Sequence, residues 1–96
     1  MIIGKIVGSA VATLKHDVLK ATKLLLVRQA DVEGGVIGQP FVAVDLVGAG
    51  EGELVLVSQG SSARMAMGQN TSPVDAAIVG ILDSLRSEGA IAWRKE

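Results

Sequence analysis

The chain contains no cysteine, which excludes a disulfide framework and any thiolate metal site. It has one histidine, His16, so a transition-metal centre would need carboxylates gathered from elsewhere. Tyrosine is absent and the aromatic side chains are Phe41 and Trp93 alone, so the core must be aliphatic. No apolar run approaches the ~20 residues that a bilayer-spanning helix needs, and no membrane partner is expected. The opening dozen residues are broken by Gly4, Lys5 and Gly8 and do not read as a secretory leader. The expectation is a cytoplasmic protein without a metal or cofactor.

What is present is aliphatic and rich in glycine. Ninety-six residues make one domain, 49% of them hydrophobic, mostly Val, Ile, Leu and Ala, which suit a pleated surface. A chain this short buries only about 60–65% of its unfolded surface and gains from association. Twelve glycines imply several tight turns. The net charge of -1 weighs against a nucleic-acid partner, which usually calls for a basic face. Charge is nonetheless uneven. Lys5, Lys15, Lys20, Lys23 and Arg28 dominate the start, and Asp31, Glu33, Asp45, Glu51 and Glu53 the middle. Unlike faces of this kind are either two solvated surfaces or a pair suited to head-to-tail packing.

Periodicity divides the chain into short strands. Residues 1–13 read as a long one, with Ile2, Gly4, Ile6 and Gly8 on one face, where the glycines would let the strand coil sharply. Residues 15–22 are a polar connection with a single turn at 16–19. Residues 23–30 form a second strand, 31–40 a loop with Gly34, Gly35, Gly38 and Pro40, and 41–47 a third strand. Gly48 to Gly52 turn the chain, and 53–59 return as a fourth strand, a pair that reads as a hairpin. A short helix is expected from Gly60 to Arg64 with Ser61 or Ser62 as its cap. Residues 65–72 lack periodicity.

Residues 74–85 are locally ambiguous. Ser72, Pro73 and Asp75 make a helix start, and Val74, Ala77, Ile78, Ile81 and Leu82 keep helical spacing. Ile78, Val79, Ile81 and a central Gly80 oppose it, at roughly 1–2 kcal/mol by propensity. A turn at 87–89 and a last short strand at 90–94 follow. Strands at such regular spacing point to a small closed barrel, whose closure removes edges open to aggregation.

No constellation of these residues reads as catalytic. Gly48-Ala49-Gly50-Glu51-Gly52 superficially resembles a dinucleotide fingerprint, but a strand-like run, Leu54 to Val57, follows where a helix is required. A backbone turn explains the glycines, and Glu53 is a candidate for a hydrogen bond across a subunit boundary. Ser61 and Ser62 have no adjacent base. Arg64 is the only basic residue between Arg28 and Arg86; its fork fits a carboxylate, with Asp75 or Glu53 as the expected partner. Met65 and Met67 are candidates for an adaptable contact, and Trp93 for an anchor of the last strand on the barrel or a neighbour.

Taken together, MIIGKIVGSAVATLKH, VGAGEGELVLVSQGSSAR and PVDAAIVGILD resemble the pentameric vertex proteins of bacterial microcompartment shells. These occur in carboxysomes and in ethanolamine- and propanediol-utilisation compartments. The resemblance runs from Met1 to about Asp83. It implies a small closed five-stranded barrel resembling an OB fold; with the short helix and the C-terminal β-hairpin read from the residues, the fold class is all-β. It makes 74–85 a strand. It implies a homopentamer with hexameric shell proteins as partners, and a location in the shell. It places Gly48, Gly50, Gly52 and Glu53 on one motif, Gly60, Ser61, Ser62 and Arg64 on a second, and Asp75 and Asp83 on a third, all structural or intersubunit and none catalytic. A single-strand nucleic-acid binder of the same barrel type would stack bases on aromatics along a basic groove, for which Phe41 and Trp93 are too few. A small enzyme or ligand-binding oligomer would need a convergent polar set.

Overall fold

The computed structural model describes residues 1–13, 22–67 and 74–96. The polar connection at 15–22, with its turn at 16–19 and His16, lies almost wholly outside them, as do residues 68–72 of the aperiodic stretch. Among the described residues, seven strands and one helix follow in the order β1 (Ile2–Ala10), β2 (Leu24–Gln29), β3 (Phe41–Asp45), β4 (Leu54–Gln59), α1 (Ser61–Ala66), β5 (Ala76–Ile81), β6 (Ser84–Ser87) and β7 (Ala90–Arg94). The first five strands close a barrel in the order β1-β2-β3-β5-β4, and β6-β7 form a separate two-stranded sheet.

The expected β3–β4 hairpin does not form. β5 inserts between the two, pairing parallel with β3 through Val44–Ala77 and Asp45–Ile78 and antiparallel with β4 from Gln59–Ala76 to Val55–Ile81. A hairpin needs the returning strand to lie directly beside the outgoing one. Here the loop after Asp45 carries the chain past that position, onto the far side of β5. The span read as one strand to Leu85 is also divided: β5 ends at Ile81 and β6 begins at Ser84.

β1 carries two devices for closure. Gly4 is buried, and a Cβ there would stand 2.5 Å from Val27 Cγ1 and 3.1 Å from Val57 Cγ2, so the facing strands approach through the missing side chain. Farther on, the register with β2 shifts between Ile6–Val27 and Gly8–Leu26, the mark of a β-bulge. The bulge reverses the alternation, so Gly8 sits with outward Leu26 and not on the inner face expected for it.

Two apolar clusters result. Ile6, Leu25, Val27, Val55, Val57 and Ile78 fill the barrel together with Ala43, Ala49 and Ala76. Burying a side chain of this size contributes about 1.5–3 kcal/mol. On the outside, Val44 and Ala77 are covered by Ala63 of α1 and by Val74, with Leu24, Met67 and Val79 packed around them. The helix is thus a lid over the parallel β3–β5 seam. Met67 belongs to this packing, whereas Met65 is 70% exposed.

Candidate functional site

Asp45 organises the glycine loop at one end of the barrel. Its Oδ1 accepts the N–H groups of Val47 (3.1 Å), Gly48 (3.1 Å) and Ala49 (3.2 Å), and its Oδ2 accepts Ala49 N–H again at 3.1 Å. Gly48 and Gly52 lie at φ 76° and 89°, a region that costs other residues strain. Gly52 N–H then bonds Ile6 O at 2.8 Å. Glu53 folds back so that its Oε1 accepts Gly50 N–H at 2.6 Å. Ala49 is 1% exposed and belongs to the barrel core. These amides are therefore committed within the chain, the reverse of a cradle waiting for phosphate.

Glu53 also ties down the C-terminus. Its Oε2 accepts a hydrogen bond from Lys95 Nζ at 2.7 Å, so its carboxylate serves its own chain on both oxygens. Lys95 N–H donates to Asp83 O at 2.9 Å, and Leu82 N–H to Leu54 O at 2.9 Å. These bonds fix the root of the β6–β7 hairpin. Trp93 seals it: a Cβ on Gly34, which has φ 88°, would meet Trp93 Cδ1 at 2.8 Å and Leu54 Cδ1 at 3.5 Å. Trp93 thus anchors the last strand on the 31–40 loop of its own subunit, and Phe41 packs on the barrel core. Neither is an open platform for a nucleic-acid base.

The pair titrates in a definite sense. Hydrogen bonds from Lys95 and then from Gly50 hold the Glu53 carboxyl below its ordinary value, and the bond to Glu53 raises the Lys95 ammonium. A depressed carboxyl stabilises the fold above its unfolded pKa, and that contribution is lost as pH falls through the folded one. The raised ammonium contributes below its unfolded pKa and is lost as pH rises through the folded one. The latch is therefore complete at neutral pH and opens below the usual glutamate range of about 4.3. Trp93 is the only tryptophan. Its emission is expected to shift to the red over that acid interval with far-UV dichroism unchanged, and Lys95→Met is expected to abolish the step. An identical step in Lys95→Met would exclude the latch as its source.

The other expected residues gather around α1. Gly60, at φ 61° and ψ -136°, is the N-cap, and no side chain caps the helix. Ser61 and Ser62 are exposed, so neither is the cap expected of them. Gly60 supplies the turn itself: its carbonyl accepts Ala63 N–H and Arg64 N–H at 3.2 and 3.4 Å. Its own N–H reaches Asp75 O at 2.8 Å, joining the helix start to the approach of β5. Arg64 Nη1 donates to Val74 O at 3.3 Å. Within the subunit it pairs with neither expected carboxylate. Asp83 sits at the hairpin root and Asp75 is exposed beside the helix.

The expected residues thus form two groups, a loop-and-latch group and a helix-cap group. Asp45 belongs to the first and was not among them. Its signal was legible, since Asp followed within three residues by Gly is the pattern of an Asx turn. A cleft of about 390 Å³ beside the latch is lined by Lys5, Glu53, Leu54, Trp93 and Lys95 among others. It lacks a nucleophile–base pair. Among the described residues no group of three His, Asp or Glu is placed to hold a metal.

Residues 1–83 match the family described as Ethanolamine utilisation protein EutN/carboxysome. The chain belongs to this EutN/CcmL family. It is 44% identical over 90 residues to the microcompartment shell vertex protein EutN of Escherichia coli K12, covering 94% of this chain and 95% of that protein. It is 42% identical over 97 residues to the carboxysome shell vertex protein CcmL of Nostoc sp. PCC 7120, covering 100% and 96%. The solved structure of the Nostoc CcmL superposes with a TM-score of 0.89 at 43% identity, covering 99% of this chain and 100% of that one. That of GrpN from Rhodospirillum rubrum, described as a pentameric microcompartment shell protein, gives 0.81 at 45% identity over 91% and 99%. In EutN/CcmL terms, the loop motif around Gly48 to Glu53 and the Gly60–Arg64 cap both lie inside the matched region. The β6–β7 hairpin lies beyond the family match but within the span covered by the CcmL relative.

Proposed function

We propose that this chain is a structural shell protein that assembles as a homopentamer and fills the five-fold vertices of a bacterial microcompartment in the cytoplasm. The observation that carries the reading is the near-complete, two-way coverage by shell vertex proteins at over 40% identity. It performs no reaction. Its work is geometric: a five-membered ring presents equivalent edges to surrounding hexameric tiles and supplies the corner at which a hexagonal sheet closes.

The surface supports this reading. Each subunit of a ring makes two contacts, and a standard interface takes about 800 Å² from each partner. Two such contacts would cover more than a quarter of the subunit's 5717 Å². Aliphatic side chains are available for it, among them Ile37 at 60%, Val42 at 46% and Ile91 at 43% exposure. Native mass spectrometry of the purified protein is expected to give five chains. A stable monomer or dimer at micromolar concentration would overturn the assignment. Mixing with a hexameric shell protein and imaging closed particles, with and without this chain, tests the vertex role itself.

The Gly60–Arg64 cap and Asp75 are assigned to the ring interface. Glu53 is engaged by Lys95, which leaves exposed Asp75 of a neighbouring copy as the carboxylate for the unused part of the Arg64 fork. Arg64→Lys keeps the charge and loses the fork. It is expected to raise the pentamer's dissociation concentration about tenfold, ~1.4 kcal/mol, by dilution-dependent mass measurement. No change would remove Arg64 from the interface.

A further inference from the structure

The β6–β7 hairpin has one satisfied face and one open face. It shares no strand pairing with the barrel, and a lone two-stranded hairpin is marginal in water. Leu85 and Trp93 are cross-strand partners, both half-buried, and Trp93 stands over Gly34 of the 31–40 loop. Ser84 pairs with Arg94, and Arg86 with Ile91. Ser84 and Arg86 are two apart on β6 and share a face. The register shifts between Leu85–Trp93 and Arg86–Ile91, a bulge at Ala92 that puts Ile91 on the side of Arg94. Ser84, Arg86, Ile91 and Arg94 therefore form the opposite side, and all four are exposed. The result is an exposed isoleucine between two guanidinium groups. Neither arginine has a partner among the described residues, whereas Lys95 is held by Glu53, Arg28 by Gly38 O and Arg64 by Val74 O.

A surface of opposite character lies on the glycine loop. Leu46 and Val47 are 39% and 38% exposed, and Glu51 on the same loop is exposed and without a partner among the described residues. Asp45 and Glu53 hold this loop by its backbone, so its side chains are presented already ordered and little entropy is lost when something docks. Within its own subunit the hairpin is held by Trp93 over Gly34 and by Lys95 on Glu53, which leaves Arg86 and Ile91 turned away from its own loop.

We propose that the open face of the hairpin docks on the glycine loop of the next copy of this chain. Ile91 covers Leu46 and Val47, and Arg86 and Arg94 flank Glu51. The proposal rests on the pentameric reading and adds to it the element that joins neighbours. One arm given and one loop received per subunit is a heterologous contact, the kind that closes into a ring. Paired opposite charges around a small apolar centre fix its register and exclude the reverse orientation.

The absence of cysteine makes a direct test clean. The double variant Val47→Cys with Ile91→Cys, assembled and mildly oxidised, is expected to run on a non-reducing denaturing gel as a ladder ending at five linked chains. A disulfide forms only where Cα atoms come within about 7 Å, and each single variant, with no cysteine facing its own, is expected to remain a single chain. If the unoxidised double variant is pentameric by native mass and oxidation yields only single chains, the docking is wrong while the pentamer stands. If the wild-type protein is not pentameric, the reading beneath it fails first. Independently, Arg86→Glu with Arg94→Glu is expected to accelerate subunit exchange about tenfold by like-charge repulsion against Glu51, and adding Glu51→Arg to the same chain is expected to restore it. Exchange as slow as wild type in Arg86→Glu with Arg94→Glu alone, or no restoration on adding Glu51→Arg, would also overturn the proposal.

Discussion

Replacing Gly4 with alanine is expected to lower the stability of the subunit by about 1–3 kcal/mol, the usual cost of overpacking a well-filled core. The new methyl would lie 2.5 Å from Val27 Cγ1 and 3.1 Å from Val57 Cγ2. Both valines are at 0% exposure, so neither can swing toward solvent. The strain falls where β1 meets both β2 and β4, so relief requires two strand pairings to move together. Thermal unfolding is expected to drop about 4–8 °C for each kcal/mol in a domain of this size. Val27→Ala removes the clashing methyl, so the Gly4→Ala, Val27→Ala pair is expected to lose less than the sum of its single changes. Strict additivity would mean that Gly4 is not at a steric limit.

Asp45→Ala is expected to cost about 2–4 kcal/mol, because charge-assisted hydrogen bonds are each worth about 1.5–3 kcal/mol and not all are lost outright. Val47 and Gly48 are exposed and their amides can turn to water. Ala49 is buried, and its N–H loses both carboxylate oxygens at once. Asp45→Asn keeps one acceptor and is expected to cost about half as much. The more informative readout is assembly. With the loop loosened, the pentamer is expected to dissociate at higher protein concentration in both variants, in the same rank order as the stability loss. A ring as tight as wild type in Asp45→Ala would separate the loop from the interface.

Much of the barrel was legible because its strands obey local rules. The runs at 24–29, 41–45, 54–59 and 90–94 are aliphatic and bounded by turn residues, and they were readable to within two residues. The helix was likewise foreseen beside Gly60. What escaped was decided by long-range geometry. The β3–β4 connection has the length and glycine content of a hairpin loop, and only the insertion of β5 shows that it is not one. The alternation of β1 is regular in sequence, so nothing local announces the bulge that sends Gly8 outward. Two serines after Gly60 are good caps by type, yet the unusual backbone at Gly60 and its bond to Asp75 O leave them in solvent. The intervening distance in sequence also hid Lys95 as a partner of Glu53 within the chain. For 74–85 the local evidence for helix and strand was nearly balanced, and pairing with two strands at once settles it.

The parallel contact of β3 with β5 has a consequence for how a ring can be made. Only Val44–Ala77 and Asp45–Ile78 join these strands, and β4 and α1 lie between them along the chain. Closing such a loop brings an entropic penalty before any reward, and non-local pairings of this type set folding times in the range of milliseconds to seconds. β1, β2 and β3 pair with near neighbours and can form first. The cylinder cannot shut until β5 has been synthesised, when four-fifths of the polypeptide already exists. A chain still emerging from the ribosome therefore has no finished wall to offer a neighbour. If the chain assembles as proposed, recruitment into a ring follows the synthesis of β5 and not that of β1 to β4.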